Sequence, residues 1–456
     1  MKLGKAKRPP IAELIGPGLI AGAADDDPSG IATYSQAGAQ FGPHTAWSLV
    51  LAFPFMAGIQ EISARIGRVT GNGIGGNLVQ HYPAWLARSL ILLMVIANTC
   101  NLAADLGAMG AALAMLIGGP QKLYMVGFAV LSAFLQVFLR FANYARFLKW
   151  LTLSLLAYVG AVCFAGVHWG EFLESLVWPH IEFSGAYATI IVAVLGTTIS
   201  PYLFFWQAGL EVEQQKEVGA SEPLCDAPQN ARRELNRIRW DTVLGMGLST
   251  FIGLCILITT SGTLHAHGVT DIRSADQAAE ALRPIAGKFA FILFAAGIIG
   301  TGLLALPSLS GSAAYAVGEA LGWPVGLDRK APQARGFYAV MVLCTVIGGA
   351  LNFVGIDPMD ALVWSAVLNG AAAAPIMAML VHMASDHRVM GKFPISRRLA
   401  WIGWGGTALM AVATVVMLIM LKALCSIELA GDRTDGGWSP LRGRTEGVPS
   451  VTPLAL

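Results

Sequence analysis

Apolar residues run along this chain in long stretches, and polar residues cut those stretches into segments of membrane-crossing length. An α-helix rises about 1.5 Å per residue, so roughly 20 apolar residues span a bilayer core. Segments of that kind fall at 12–41, 44–66, 86–117, 121–140, 146–168, 187–212, 241–263, 287–311, 336–355, 360–384 and 399–423. The pattern predicts an all-α membrane protein with eleven spans. The stretch 86–117 is long and rich in Gly and Ala, as in a single tilted or bent helix.

Two of the spans are interrupted. The first reads Gly16-Pro17-Gly18-Leu19-Ile20-Ala21-Gly22-Ala23-Ala24-Asp25-Asp26-Asp27-Pro28-Ser29-Gly30. Three carboxylates and a helix breaker sit where a span should be continuous. A charge at mid-membrane costs roughly 2.5–3.5 kcal/mol on insertion scales and calls for a partner. Proline removes a backbone donor, and open backbone at membrane depth is tolerated only inside protein or along a water-filled cavity. The second interrupted span reads Val194-Leu195-Gly196-Thr197-Thr198-Ile199-Ser200-Pro201-Tyr202, and its Ser200-Pro201 stands five spans after Asp27-Pro28. Broken helices at matching places in two halves point to a midplane binding site in an inverted-repeat transporter. The clustered aspartates make that site one for a cation.

Composition agrees with this reading. The 456 residues are 55% hydrophobic and 13% charged, with a net charge of +2, which excludes a large soluble domain and gives no footprint for nucleic acid. The six cysteines lie far apart without a CxxC pair, and the eight histidines form no HExxH, so no disulfide frame, structural metal or zinc protease is indicated. No nucleophile–base spacing supports an enzyme, and no cofactor is implied. The basic N-terminus (Lys2, Lys5, Lys7, Arg8) precedes an apolar run without a small-residue cleavage site, and it reads as the approach to a first span.

Most of the 30 Lys and Arg residues fall on one side of the membrane when residues 1–11 are placed in the cytoplasm. Only Lys122, Arg273, Arg283 and Lys288 then lie in outside loops. The expected organisation is a cytoplasmic N-terminus (1–11) and a transporter domain (12–423) with a cytoplasmic loop at about 213–240. A flexible extracytoplasmic tail (424–456) follows, rich in Gly, Pro, Ser and Thr. A plasma (inner) membrane location is expected, with the C-terminus outside. The sequence sets no oligomeric state, and a monomer is compatible with it.

These motifs resemble the Nramp family of divalent-metal transporters. Gly16-Pro17-Gly18 with Asp27-Pro28-Ser29-Gly30 is similar to that family's GPG…DPGN first helix. Gly196-Thr197-Thr198-Ile199-Ser200-Pro201-Tyr202 is similar to its sixth-helix GAxxMPH. Gln60-Glu61-Ile62-Ser63-Ala64-Arg65-Ile66-Gly67 and Val69-Thr70-Gly71 are similar to its QExxARxG and VTG. The resemblance implies a LeuT-type fold of five spans plus five inverted spans, with an eleventh added. It also implies a metal site built from Asp27, the Thr197 carbonyl, Ser200 and the position of Gly30. Asp26 is expected to add charge or hold outer water, and Asn369 to complete the site or hold an ion-bound water. Pro28, Pro201, Tyr202, Asn101 and Asp105 are the gating or coupling candidates.

Departures from the family pattern shape the expected chemistry. Gly30 replaces an asparagine, Ser200 a methionine and Tyr202 a histidine. Losing the thioether lowers the preference for soft metals and leaves a harder, carboxylate-led site with room at Gly30, suited to a partly hydrated Mg²⁺ or to Mn²⁺. These changes resemble the Nramp-related magnesium transporter branch. In the third span, Asn101-Leu102-Ala103-Ala104-Asp105-Leu106-Gly107 is similar to the family's acidic proton path. Asn101 and Ala104 stand where acids would be, and Asp105 lies one step along, about 100° round the helix. Weak or absent proton coupling is the expectation.

Other readings remain open at this stage. The chain could be an ordinary proton-coupled Mn²⁺/Fe²⁺ symporter or a Na⁺/amino-acid symporter of the same architecture. Asp27 could simply cap the half-helix after it. Ser200 could bond back to its own helix. Glu61 and Arg65 could form an i,i+4 pair. Asn369 could make an interhelical hydrogen bond, and the Gly/Ala runs at 107–114 and 370–374 could be close-packing faces.

Overall fold

The structure is a computed structural model that describes residues 16–138, 155–217, 222–226 and 228–434. Among these residues nine helical runs are long and apolar enough to cross a membrane. The first, Pro28–Thr70, holds two of the expected spans, joined by the 3₁₀ turn Gly42–Thr45. The expected fifth span, 146–168, lies partly outside the described residues, as do 1–11 and most of the expected tail. The helix Arg397–Thr434 carries the backbone past 423, where the last span was expected to end.

Two helix breaks organise the molecule. Helix α1 (Pro17–Asp25) stops at Asp26, whose ψ of 57 leaves the helical range, and α2 (Pro28–Phe41) restarts after Asp27. Local chemistry accounts for the restart. Asp27 is extended at ψ 171 and its side chain accepts from the Gly30 N–H, while Pro28 occupies the first helical position, where no donor is needed. Helices α3 (Ala46–Thr70), α4 (Ile74–His81), α5 (Ala84–Ile117) and α6 (Gln121–Phe138) follow, and α7 (Leu156–Val162) and α8 (Trp169–Val177) are short. The second break lies between α9 (Gly185–Thr198) and α10 (Pro201–Glu217), where Ile199 has ψ 63 and Pro201 again opens the new helix.

Helix α11 (Ala231–Thr263) backs α1. The two approach at glycines, so closely that a Cβ on Gly18 would stand 2.6 Å from the Thr242 amide nitrogen and one on Gly245 would stand 2.8 Å from the Gly18 carbonyl carbon. The N-terminus of α1 has no cap of its own. Asp241 of α11 caps it from outside, accepting from Gly18 N at 2.7 Å and Leu19 N at 3.3 Å. Gly245→Val is therefore expected to push α1 from α11 and cost about 3 kcal/mol, the upper range for overpacking. A thermal midpoint equal to that of wild type in detergent would contradict this.

The loop expected at 213–240 is shorter than its polarity implied. Helix α10 runs through Glu217, and α11 begins at Ala231. Charged residues extend these helices by pairing across them. Arg237 binds Glu211 at 2.6 Å and Glu234 at 3.3 Å, and Arg68 reaches Glu234 at 3.5 Å.

The rest of the bundle is α12 (Ala275–Glu280), α13 (Arg283–Ala286), α14 (Ala290–Ala320), α15 (Arg335–Leu351), α16 (Pro358–Ser385), α17 (His387–Met390) and α18 (Arg397–Thr434). Helices α5 and α16 pack beside the broken segments. Gly370 of α16 backs onto α9, where its Cβ would meet the Val192 carbonyl oxygen at 2.8 Å, so the two helices pack closely at this glycine. Glu61 and Arg65 form their i,i+4 pair at 2.5 Å.

Candidate metal site

Asp27 lies at the first break and is 1% exposed. Both its oxygens are engaged. Oδ1 accepts from the Ser29 hydroxyl at 2.6 Å and the Gly30 N–H at 2.8 Å. Oδ2 accepts from Asn101 Nδ2 at 3.0 Å, and the Tyr202 hydroxyl oxygen lies 3.4 Å from it. Every donor is neutral, so the carboxylate is oriented but its charge is not balanced.

Asn101 and Asp105 project from one face of α5. Asn101 Nδ2 also points to Asp105 Oδ2 at 3.4 Å, and its Oδ1 accepts from Asn369 Nδ2 of α16 at 3.2 Å. Asn369 thus makes the interhelical bond weighed above and touches Asp27 only through Asn101. Asp105 Oδ1 and Asn369 Oδ1 are buried without a hydrogen-bond partner among the described residues.

The second break faces the first. The Ser29 and Thr197 hydroxyls stand 3.5 Å apart, and Tyr202 OH donates to the Ala24 carbonyl at 2.8 Å, tying the start of α10 to the end of α1. Pro28 and Pro201 open the two restarted helices and carry no hydrogen bonds of their own to the site. The Ser200 hydroxyl is committed to its own chain, donating to Thr197 O at 2.7 Å and Gly196 O at 3.0 Å. That back-bonding uses the hydroxyl's proton on carbonyls left by the broken turn, and the oxygen's lone pairs remain able to coordinate a cation. The Thr197 carbonyl keeps a second lone pair. The room expected at Gly30 is also small. A Cβ there would lie 3.3 Å from Thr197 Oγ1, because the two breaks pack directly together.

Asp26 turns elsewhere. It and Asp25 both meet Ser249 of α11, with Asp26 Oδ1 at 3.1 Å and the Asp25 contact shorter still. Ser249 was not anticipated from the sequence. Its only signal is a hydroxyl in the apolar run Leu248-Ser249-Thr250-Phe251. Ser29 was in view within the motif but was not assigned a role.

Four carboxylates, Asp25, Asp26, Asp27 and Asp105, are therefore buried around the first break, Asp27 and Asp105 linked through Asn101 and Asp25 and Asp26 through Ser249, each at most 5% exposed. Among the described residues none of them is ion-paired to Lys, Arg or His. Buried carboxylates left so must carry protons or receive a cation. Nor does any group of three His, Cys, Asp or Glu converge as a ready metal-ligand set among the described residues. The cluster is led by carboxylate and amide oxygens, the donors that hard cations take.

Two breaks facing each other around buried, uncompensated carboxylates define a multi-pass membrane transporter with a LeuT-type fold. The Nramp family profile, described as natural resistance-associated macrophage protein-like, matches residues 18–420. The chain belongs to the Nramp family of divalent-metal transporters. Its structure is similar to that of an Eremococcus coleocola manganese transporter (TM-score 0.70, 16% identity, 95% of this chain and 91% of that one). It is also similar to MhsT in complex with L-phenylalanine (0.58, 12%, 89% and 97%). A third likeness is to Mhp1, a nucleobase-cation-symport-1 family transporter (0.54, 15%, 92% and 93%). At such identities these likenesses speak for the fold.

Proposed function

We propose that this protein takes up Mg²⁺, Mn²⁺ or both by alternating access, with Asp27 as the principal ligand and the two half-helix breaks as moving gates. The N-terminus lies in the cytoplasm and the C-terminus outside, in the plasma (inner) membrane. The observation that carries the reading is the Asp27 cluster, a buried, uncompensated carboxylate held only by neutral hydroxyl and amide N–H donors. Position 200 offers no thioether, which favours hard or borderline ions over soft ones. Proton coupling is weak or absent in this reading. A divalent ion gains about 4.6 kcal/mol per 100 mV, roughly a thousandfold accumulation without protons.

One observation favours the rival, a proton-coupled Mn²⁺/Fe²⁺ symporter. Asp105 is linked to Asp27 through a single amide, so a titratable group is within reach. Proton entry that rises and saturates with added metal would decide for the rival. An amino-acid substrate is disfavoured, because its carboxylate would meet the aspartate cluster.

Ser200→Met tests the ligand argument. Restoring a thioether is expected to raise Cd²⁺ uptake into proteoliposomes about tenfold relative to Mg²⁺, about 1.4 kcal/mol. An unchanged Cd²⁺/Mg²⁺ ratio would count against it.

A further inference from the structure

The bond pattern around Asn101 is unusual. One amide nitrogen faces two carboxylates, Asp27 Oδ2 at 3.0 Å and Asp105 Oδ2 at 3.4 Å, where like charges would otherwise confront each other across buried space. The NH₂ group, carrying partial positive charge, stands where a cation would stand. Its neighbour Asn369 donates to Asn101 Oδ1 at 3.2 Å and is left with a buried oxygen that accepts nothing. Among the described residues the second oxygen of Asp105 accepts no hydrogen bond either, and Asp105 and Asn369 are both 0% exposed.

We infer that Asp105 is a second carboxylate ligand for the cargo ion, and that the Asn101 amide holds that ion's place between Asp27 and Asp105 until it arrives. The inference rests on the divalent-cation reading and deepens it. Two carboxylates match the charge of a divalent ion, whereas Asp27 alone leaves half of it uncompensated. For the ion to enter, the Asn101 side chain must draw back from that place and turn over about its last torsion, which aims carbonyl oxygen instead of NH₂ at the vacated space. After that turn Asn101 offers Oδ1 to the ion and its NH₂ to Asn369. The unpartnered Asn369 oxygen is the acceptor that this requires, once Asn369 turns as well. The pair of amides thus has one complete bonding pattern without the ion and another with it. A monovalent ion would leave the two carboxylates half neutralised, so the same arrangement discriminates by charge.

The test compares wild type, Asp105→Asn and Asn101→Asp in detergent. Each is followed by metal-induced thermal shift with Mg²⁺, Mn²⁺, Ca²⁺ and Cd²⁺, and by uptake in proteoliposomes. Asp105→Asn is expected to raise the half-saturating concentration of the bound divalent ion tenfold or more, with a metal-free midpoint no lower than that of wild type. A purely structural Asp105 would give the opposite, a lower metal-free midpoint and an unchanged half-saturation. Asn101→Asp replaces the placeholder with a third carboxylate. It is expected to lower the metal-free midpoint and tighten divalent binding several-fold. Half-saturation within twofold of wild type in Asp105→Asn overturns the proposal. Should that variant fail to fold, an unchanged half-saturation in Asn101→Asp overturns it. If wild type responds to Ca²⁺ or Cd²⁺ but to neither Mg²⁺ nor Mn²⁺, the Mg²⁺/Mn²⁺ reading fails. The same ratios, taken with the ion that binds, then decide the role of Asp105. A wild type that responds to no divalent ion overturns both.

Discussion

Asp27→Asn is expected to reduce divalent uptake at subsaturating metal about 100-fold, a loss of about 2.7 kcal/mol, while the protein remains folded. The substitution separates two roles. Asparagine caps a helix about as well as aspartate, so the bonds from Gly30 N and the Ser29 hydroxyl can persist in the variant. What disappears is the negative charge and one of its two equivalent oxygens, the one now held by Asn101 and approached by the Tyr202 hydroxyl. Uptake equal to wild type, with the thermal midpoint preserved, would reduce Asp27 to a capping residue. Asp27→Ala removes cap and ligand together and is expected to lower both uptake and the midpoint.

The second large effect is expected at the opposite end of α10 from the break. Glu211 is fully buried and pairs with Arg237 at 2.6 Å, while Arg237 remains about one-third exposed. Truncating Arg237 to Ala strands a buried carboxylate. Removing one partner of a fully buried pair costs about 3–5 kcal/mol, and the exposure of Arg237 places this case near 3 kcal/mol. Adding Glu211→Gln to Arg237→Ala should recover most of that loss, because no buried charge remains. A single variant as stable as wild type, or a double variant less stable than the single, would contradict the account. The pair also joins α10 to α11, and Asp241 one turn further along α11 caps α1, so both half-helices on this side are secured to one helix.

Much of this was legible in the sequence. Hydropathy and two proline-bearing polar interruptions were enough to place the breaks; proline alone was not the signal, since continuous helices run through Pro54, Pro307 and Pro375. Asp27 and Tyr202 stand together as their positions in the broken spans implied. Asp105 was harder to place. Counted from Ala104 it lies about 100° away, which removed it from the expected acidic path. Counted from Asn101 it is an i,i+4 neighbour, and the two share a face. Ser200 illustrates a different limit. Composition marks it as an oxygen donor, but only the geometry of the broken turn shows that its hydroxyl bonds its own backbone. The partnership of Asp25 and Asp26 with Ser249 spans more than 220 positions and leaves no local periodic trace. The 213–240 segment looked like a loop because its residues are charged, but Arg237 of that segment pairs with Glu234 within α11 and with Glu211 of α10.

The central claim is a carboxylate-led site that carries hard divalent ions down their electrochemical gradient. The direct measurement is ion flux into proteoliposomes under a potassium diffusion potential, with Mg²⁺, Mn²⁺ and Ca²⁺ compared and internal pH followed at the same time. The account predicts Mg²⁺ or Mn²⁺ entry that increases with negative internal potential, is lost in Asp27→Asn and is unaccompanied by acidification. Entry of Mn²⁺ or Cd²⁺ together with protons, with Mg²⁺ excluded, would contradict it.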